Sequence, residues 1–180
     1  MKVSIIGGGV IGLCSAYFLQ KEGYEVTIIE RGDISDGCSF GNMGFISPSH
    51  FIPLANPGII SQGLKWMLSS TSPFYIKPRL NLDLIQWGYH FWKSATHKKV
   101  NQNSQPLHEI LQLSRRLIET LRDDVGNVFE MQEKGCLMMC KKQKTLDHEF
   151  VIADAGEMFG LKVERLDRAG VQALEPNVEV

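Results

Sequence analysis

An α/β fold is predicted for this chain, opening on one parallel βαβ unit and passing near residue 125 into the start of an α+β module. Three observations carry that prediction. An apolar run, Lys2 to Ile6, leads straight into Gly7-Gly8-Gly9-Val10-Ile11-Gly12, the spacing of a strand-to-helix turn that faces a dinucleotide. A second apolar run, Glu25 to Ile29, stops at the acidic Glu30, close to the distance of about 20 residues at which a ribose-binding carboxylate is expected. After Gly126 the rhythm changes to short strand-like runs and helical stretches that do not continue the βαβ series.

The elements follow in order. A helix is expected from about Val10 to Glu22, with small and apolar residues such as Ala16 and Leu19 in it and Gly23 at its end. Arg31 to Gly44 is polar and glycine-rich, with Asp33, Asp36, Gly37, Gly41 and Asn42, and reads as a long loop of the kind that carries function. Helices are expected at Ile59–Leu68 and Leu82–Trp92, both rich in aromatic residues, with Pro73 and Pro78 breaking the chain between them. Ser104 is placed to cap the next helix, with Pro106 in its first turn. Leu107, Ile110, Leu111, Leu117, Ile118 and Leu121 then mark one helical face that ends at Gly126. Strands are expected near Asn127–Met131, Cys136–Lys141 and Lys162–Leu166. A helix from Leu146 to Phe159, capped by Thr145 and closed by Gly160, separates the last two. A short helix over Asp167–Leu174 precedes Pro176. The expected division is therefore residues 1–125, with a helical insertion over 58–100, and residues 126–180.

Composition narrows the function classes. At 180 residues, 43% hydrophobic and 22% charged with net charge −1, the chain can form a real core but has no basic excess for a dedicated nucleic-acid binder. The basic run Lys93 to Lys99 is short and reads as a solvated helix end. No apolar run reaches the roughly 18 residues of a membrane span. The chain enters a strand at its first residues, which suggests no leader and a cytoplasmic location, with peripheral contact at the inner membrane left open. Cys14, Cys38, Cys136 and Cys140 form no disulfide framework, and Cys136 and Cys140 lack a second nearby pair, so no metal site is expected.

Each residue of the opening unit has a physical task. Gly7 allows the tight turn, Gly9 lets a pyrophosphate approach the backbone, and Gly12 lets the helix pack on the sheet. The free N–H groups and positive end of the helix face the phosphates. Glu30 accepts hydrogen bonds from a ribose and repels a 2′-phosphate, which disfavours NADP. Arg31 weakens that repulsion.

The glycine motif resembles that of the two-lobed flavoproteins related to D-amino-acid oxidase. Cys38-Ser39-Phe40-Gly41-Asn42-Met43-Gly44-Phe45-Ile46-Ser47-Pro48 is similar to the second cofactor loop of the bacterial D-amino-acid dehydrogenases. Asn56-Pro57-Gly58, Leu64-Lys65-Trp66-Met67 and Leu174-Glu175-Pro176 extend the resemblance over the whole chain. It implies a Rossmann-like FAD-binding start followed by part of an α+β substrate domain, an incomplete two-lobed flavoprotein fold. It also implies FAD as cofactor. Gly7, Gly9 and Gly12 then line the pyrophosphate, with backbone contacts from Val10 and Ile11. Glu30 takes the adenosine ribose with Arg31 beside it, and Ser39, Asn42 and Gly44 approach the flavin side.

The activity so implied is oxidation of a D-amino acid to an imine, which hydrolyses to a 2-oxo acid and ammonia. The flavin accepts hydride and the protein positions the substrate, so no catalytic side chain is singled out. Two other readings stay open: a related FAD-dependent glycine/sarcosine or 2-hydroxy-acid dehydrogenase, and a non-catalytic truncated FAD-binding fragment or subunit that needs a partner. Family members are much longer than this chain, which raises the expectations of a missing C-terminal half, self-association, and electron transfer to a quinone or membrane acceptor. His50 is a weaker candidate for proton transfer, and Cys38 for a covalent flavin link. His90, His97, His108 and His148 have no ligand spacing. The aromatic stretch from Trp66 to Trp92 reads as core packing, with a membrane or channel surface as the alternative.

Overall fold

A computed structural model describes residues 1–67, 76 and 81–178. It is an α/β structure in which β1 (Lys2–Ile6), α1 (Val10–Lys21) and β2 (Glu25–Ile29) come first. The helices α2 (Ile59–Met67), α3 (Leu82–Ser94), α4 (His97–Val125), α5 (Gln143–Met158) and α6 (Arg168–Leu174) follow. The chain divides by contact into two compact units, Met1–Ile46 and Ser47–Val180.

In the first unit β1 and β2 pair in parallel, with Lys2 opposite Glu25 and Ile6 opposite Ile29. The strand period of two sends Val3, Ile5, Val26 and Ile28 to one half-buried face and leaves Ser4, Ile6, Thr27 and Ile29 on an exposed one. Helix α1 packs against both strands, as a βαβ crossover requires. Its C-terminal end is closed by Gly23 at φ 84°, while the Tyr24 N–H returns to the Leu19 carbonyl at 3.1 Å. Parallel sheets normally bury both faces, yet Ile6 remains 89% exposed here.

The second unit is organised around Phe51, which is 1% exposed. Its ring meets Phe159 edge-on at 4.8 Å between centroids, and His108 of α4 stacks on Phe159 at 5.0 Å. Gly156 of α5 is buried in the same place, where an added Cβ would meet the Phe51 ring at 3.7 Å. A residue outside the helical faces thus nucleates this small core.

Several elements differ from expectation. Helix α4 begins at His97, seven residues before Ser104, and is capped by Thr96, whose Oγ1 accepts the Lys99 N–H at 3.3 Å. Ser104 is buried inside the helix and donates its hydroxyl to the Val100 carbonyl at 2.8 Å. Pro106 is an interior residue, so one helical hydrogen bond is forfeited and the helix on either side carries the chain through. The cap of α5 is not Thr145 but Lys142, without a side-chain bond, and the Thr145 N–H donates to the Lys142 carbonyl. Asp167, expected as the first residue of the last helix, stands just before α6 as its cap and accepts the Gly170 N–H at 2.8 Å.

No strand forms at 127–131, 136–141 or 162–166, so the second half shows helices without the expected sheet among the described residues. Local bonds hold two of these segments elsewhere. Asn127 and Glu130 sit at φ 56° and 53°, left-handed turn positions, and the Asn127 amide grips both the N–H and the carbonyl of Met131. Arg165 is tied back to Asp154 and Glu157 of α5, which pins the 161–165 segment to that helix. Apolar alternation names a face, but a ladder also needs a partner strand. The Pro73 and Pro78 breaks and the last residue of the helix expected over 59–68 lie outside the described residues.

Candidate cofactor site

The site is the turn between β1 and α1 with the chain that follows β2. Gly7 leaves the sheet at φ 105°, in the region that glycine tolerates best, while its N–H still donates to the Ile29 carbonyl at 2.9 Å. Gly12 is the tightest position in the unit. A Cβ built there would lie 2.0 Å from the Gly7 carbonyl oxygen and 3.4 Å from the Ile5 side chain. Its lack of a side chain lets α1 start directly over the end of β1.

Glu30 closes the turn from the other strand. One carboxylate oxygen accepts the Gly8 N–H at 2.5 Å, and the other accepts those of Arg31 and Gly32 at 2.7 and 3.1 Å. These donors, the Gly8 N–H foremost and then those of Gly32 and Arg31, hold the Glu30 carboxyl below its usual pKa. The carboxylate is therefore an anchor of the turn as well as an acceptor at its rim. Gly8 falls outside the three-glycine pattern, and the sequence alone gives it no task. It is buried, and a Cβ there would press on the Ile34 side chain at 3.1 Å and the Glu30 carboxylate at 3.3 Å. The only sequence sign of this role is a fourth glycine inside an already glycine-rich turn.

The N-terminal end of α1 has no acidic residue in its first turn and no cap from Gly9 itself. Ser39 supplies the cap from the loop 29 residues away: its Oγ accepts the Val10 N–H at 3.0 Å. Gly9 makes room for this hydroxyl, since a Cβ there would stand 3.0 Å from it. Among the described residues no acceptor takes the N–H groups of Ile11 or Gly12. The helix thus presents two unspent donors and its positive end beside a serine hydroxyl, an arrangement suited to a phosphate.

Ser39 is itself held. The Asn42 amide donates to the Ser39 carbonyl, and its oxygen accepts the Gly44 N–H at 2.6 Å, with Gly44 at φ 68°. Earlier in the loop Asp33 accepts both the N–H and the hydroxyl of Ser35, which lowers the Asp33 pKa. All ten residues expected at the cofactor lie in the first unit. Hydrogen bonds join six of them in two groups, Glu30 with Arg31, and Val10 with Ser39, Asn42 and Gly44, while Gly7, Gly9, Ile11 and Gly12 make none to the others. Arg31 enters through its backbone N–H, and Cys38 is exposed. His50 belongs to the second unit. Among the described residues no group of three or more His, Cys, Asp or Glu could hold a metal ion, and no helix is long and apolar enough to cross a membrane.

Comparison with known proteins agrees with this geometry. The model of the FAD dependent oxidoreductase family, DAO, matches residues 2–180. A D-amino acid dehydrogenase of Granulibacter bethesdensis is 34% identical over 99% of this chain and 43% of its own length. One from Methylobacterium nodulans is 33% identical over 98% of this chain and 42% of its own. D-amino acid dehydrogenase 1 of Mesorhizobium japonicum is 31% identical, with the same two shares. The chain therefore spans less than half the length of these relatives. No solved structure matches it. The glycine turn that cannot accept a Cβ, the two free helix N–H groups and the serine hydroxyl fit a dinucleotide pyrophosphate, and the chain belongs to the DAO family of FAD-dependent oxidoreductases.

Proposed function

We propose that this chain supplies the FAD-binding part of an amino-acid-oxidising flavoenzyme of the D-amino acid dehydrogenase type. The single observation that carries the cofactor half of this reading is Gly12, whose Cβ would meet the Gly7 carbonyl at 2.0 Å and so could not exist without opening the turn. The substrate half rests on the relatives, which are named as D-amino acid dehydrogenases and match nearly the whole of this chain. The proposed sites are Gly7, Gly9, Ile11, Gly12, Ser39 and Gly44 along the pyrophosphate and flavin side, with Val10 and Asn42 in the same group and hydrogen-bonded to Ser39, and Glu30 and Arg31 on the adenosine side.

Bound FAD supplies a two-electron acceptor for the Cα hydride of the amino acid, whose imine product hydrolyses to a 2-oxo acid and ammonia. The protein's own residues bind and orient. Ile11 and Gly12 donate backbone N–H groups, with the helix dipole adding favourable potential for an anion. Glu30 has acceptor capacity left on the oxygen that Gly8 occupies once, enough for a ribose hydroxyl. Its charge disfavours a 2′-phosphate at the same place. The assignment of residues 1–125 to the FAD-binding domain and 126–180 to the start of an α+β substrate domain, within a two-lobed fold, is part of this proposal.

The electron acceptor belongs to it too. A quinone at a membrane surface fits the exposed stripe of Leu82, Ile85, Tyr89 and Trp92 along α3, which is 53 to 83% exposed and adjoins Lys93. The test is a chimera in which these 180 residues replace the matching segment of the Granulibacter relative. FAD content and D-amino-acid-dependent dye reduction are then measured, with L-amino acids as controls. D-selective turnover by the FAD-loaded chimera supports the reading. A folded chimera that retains no FAD contradicts it.

A further inference from the structure

The geometry points to Asn42 as a positioning residue that acts on the cofactor phosphate through Ser39, with no contact of its own. This inference rests on the FAD reading above and adds a role to it. Val10 does not present a free N–H, because Ser39 Oγ takes it at 3.0 Å. A serine hydroxyl has one donor and two acceptor sites. Having accepted from Val10, it keeps its own proton for an acceptor beyond the helix end. Ser39 thus turns one backbone donor of α1 into an O–H donor set outside the turn, beside the unspent N–H groups of Ile11 and Gly12.

That arrangement works only if the hydroxyl stays over Gly9. Ser39 is on an otherwise exposed loop, and a fixed polar contact there needs its backbone held. Asn42 does this with both ends of its side chain, donating to the Ser39 carbonyl and accepting from Gly44 N–H at 2.6 Å. With its carbonyl oxygen and one amide hydrogen both committed inside the loop, Asn42 serves the phosphate by fixing Ser39. Gly9 completes the device by leaving the space in which the hydroxyl sits, 3.0 Å from where its Cβ would be.

The test is a double-mutant cycle on FAD affinity, read by flavin fluorescence, with Ser39→Ala, Asn42→Ala and the double variant. A charge-assisted hydrogen bond corresponds to roughly a 10- to 100-fold change in affinity, and Ser39→Ala is expected to lose that much. Asn42→Ala should lose a similar factor alone and nothing further in the Ser39→Ala background. Ser39→Thr, which keeps the hydroxyl, should retain most of the affinity. In ³¹P spectra of bound FAD, Ser39→Ala and Asn42→Ala should move the same phosphorus resonance, which a loop of merely structural importance would not require. Multiplying losses in the double variant, or full affinity in Ser39→Ala, overturns the inference while leaving the FAD reading intact. A folded wild-type chain without FAD affinity overturns both.

Discussion

Replacing Gly12 by alanine tests the turn at its narrowest point. The new Cβ would sit 2.0 Å from the Gly7 carbonyl oxygen, whereas real Cβ atoms essentially never come within 3.0 Å of another heavy atom. Since the obstacle is backbone, no side chain can rotate away, and the start of α1 must retreat from the end of β1 by about 1 Å. Overpacking of this kind costs about 1–3 kcal/mol, and a backbone clash belongs at the upper end. The same displacement carries the Ile11 and Gly12 N–H groups and the Val10–Ser39 contact out of register with a bound phosphate. Gly12→Ala should therefore unfold at lower temperature and lose FAD affinity at least tenfold, the factor that about 1.4 kcal/mol represents. Thermal unfolding by circular dichroism and FAD titration read the two effects separately. Gly37→Ala is the control, because a Cβ there meets nothing within 4 Å and its φ is not positive. Wild-type unfolding and wild-type FAD affinity in Gly12→Ala would refute the packing argument.

Other perturbations probe the remaining parts. Glu30 has a lowered carboxyl pKa in the folded chain, so its contribution to stability is present above the ordinary carboxylate value and fades as pH falls through the folded one. The stability difference between wild type and Glu30→Gln, followed by denaturant unfolding, should shrink on acidification from neutral pH, and a constant difference would contradict the anchor role. Phe51→Ala should destabilise the second unit by about 3–5 kcal/mol, since it removes the most buried ring among that unit's described residues; loss below about 1 kcal/mol would show that the Phe51, His108 and Phe159 cluster is not its core. Thr96→Ala should cost about 1 kcal/mol through the lost α4 cap, while Ser104→Ala should not behave as a cap deletion. Gly88→Ala in α3 should stabilise that helix by up to about 1 kcal/mol, because the added methyl enters open space, and hydrogen exchange across α3 would report it.

What sequence made legible was whatever is settled within a few residues of itself. Lys2–Ile6, the glycine turn and Glu25–Ile29 each combine a local pattern with a local requirement, and the register of β1 on β2 follows once both strands end at the same turn. The Gly126 and Asp167 helix boundaries belong to the same class, a left-handed end and a side-chain cap. Ser104 misled because a serine two residues before a proline looks like a helix start, while the competing start at Thr96 lies in a basic segment with little apolar periodicity. The three absent strands show the complementary limit. Asn127 and Arg165 make particular bonds to nearby chain, and apolar alternation contains no information about whether a partner edge is available.

The residues proposed to hold the cofactor divide in the same way. Gly7, Gly9 and Gly12 are legible from their spacing, which matches what the turn needs: a positive φ at Gly7 and little or no room for a Cβ at Gly9 and Gly12. The Ser39 contact with Val10 joins positions 29 residues apart and depends on the loop's own fold, so only the loop's general importance could be read beforehand. Gly8 was hidden for another reason: its task is set by the length of the Glu30 side chain, which reaches back to its N–H.

The most direct test of the central claim is a titration of the purified 180-residue chain with FAD, followed by flavin fluorescence, alongside the Gly12→Ala variant. The account predicts saturable one-to-one binding that ADP competes and that Gly12→Ala loses. A wild-type chain that is folded by circular dichroism yet shows no saturable binding of FAD would contradict it.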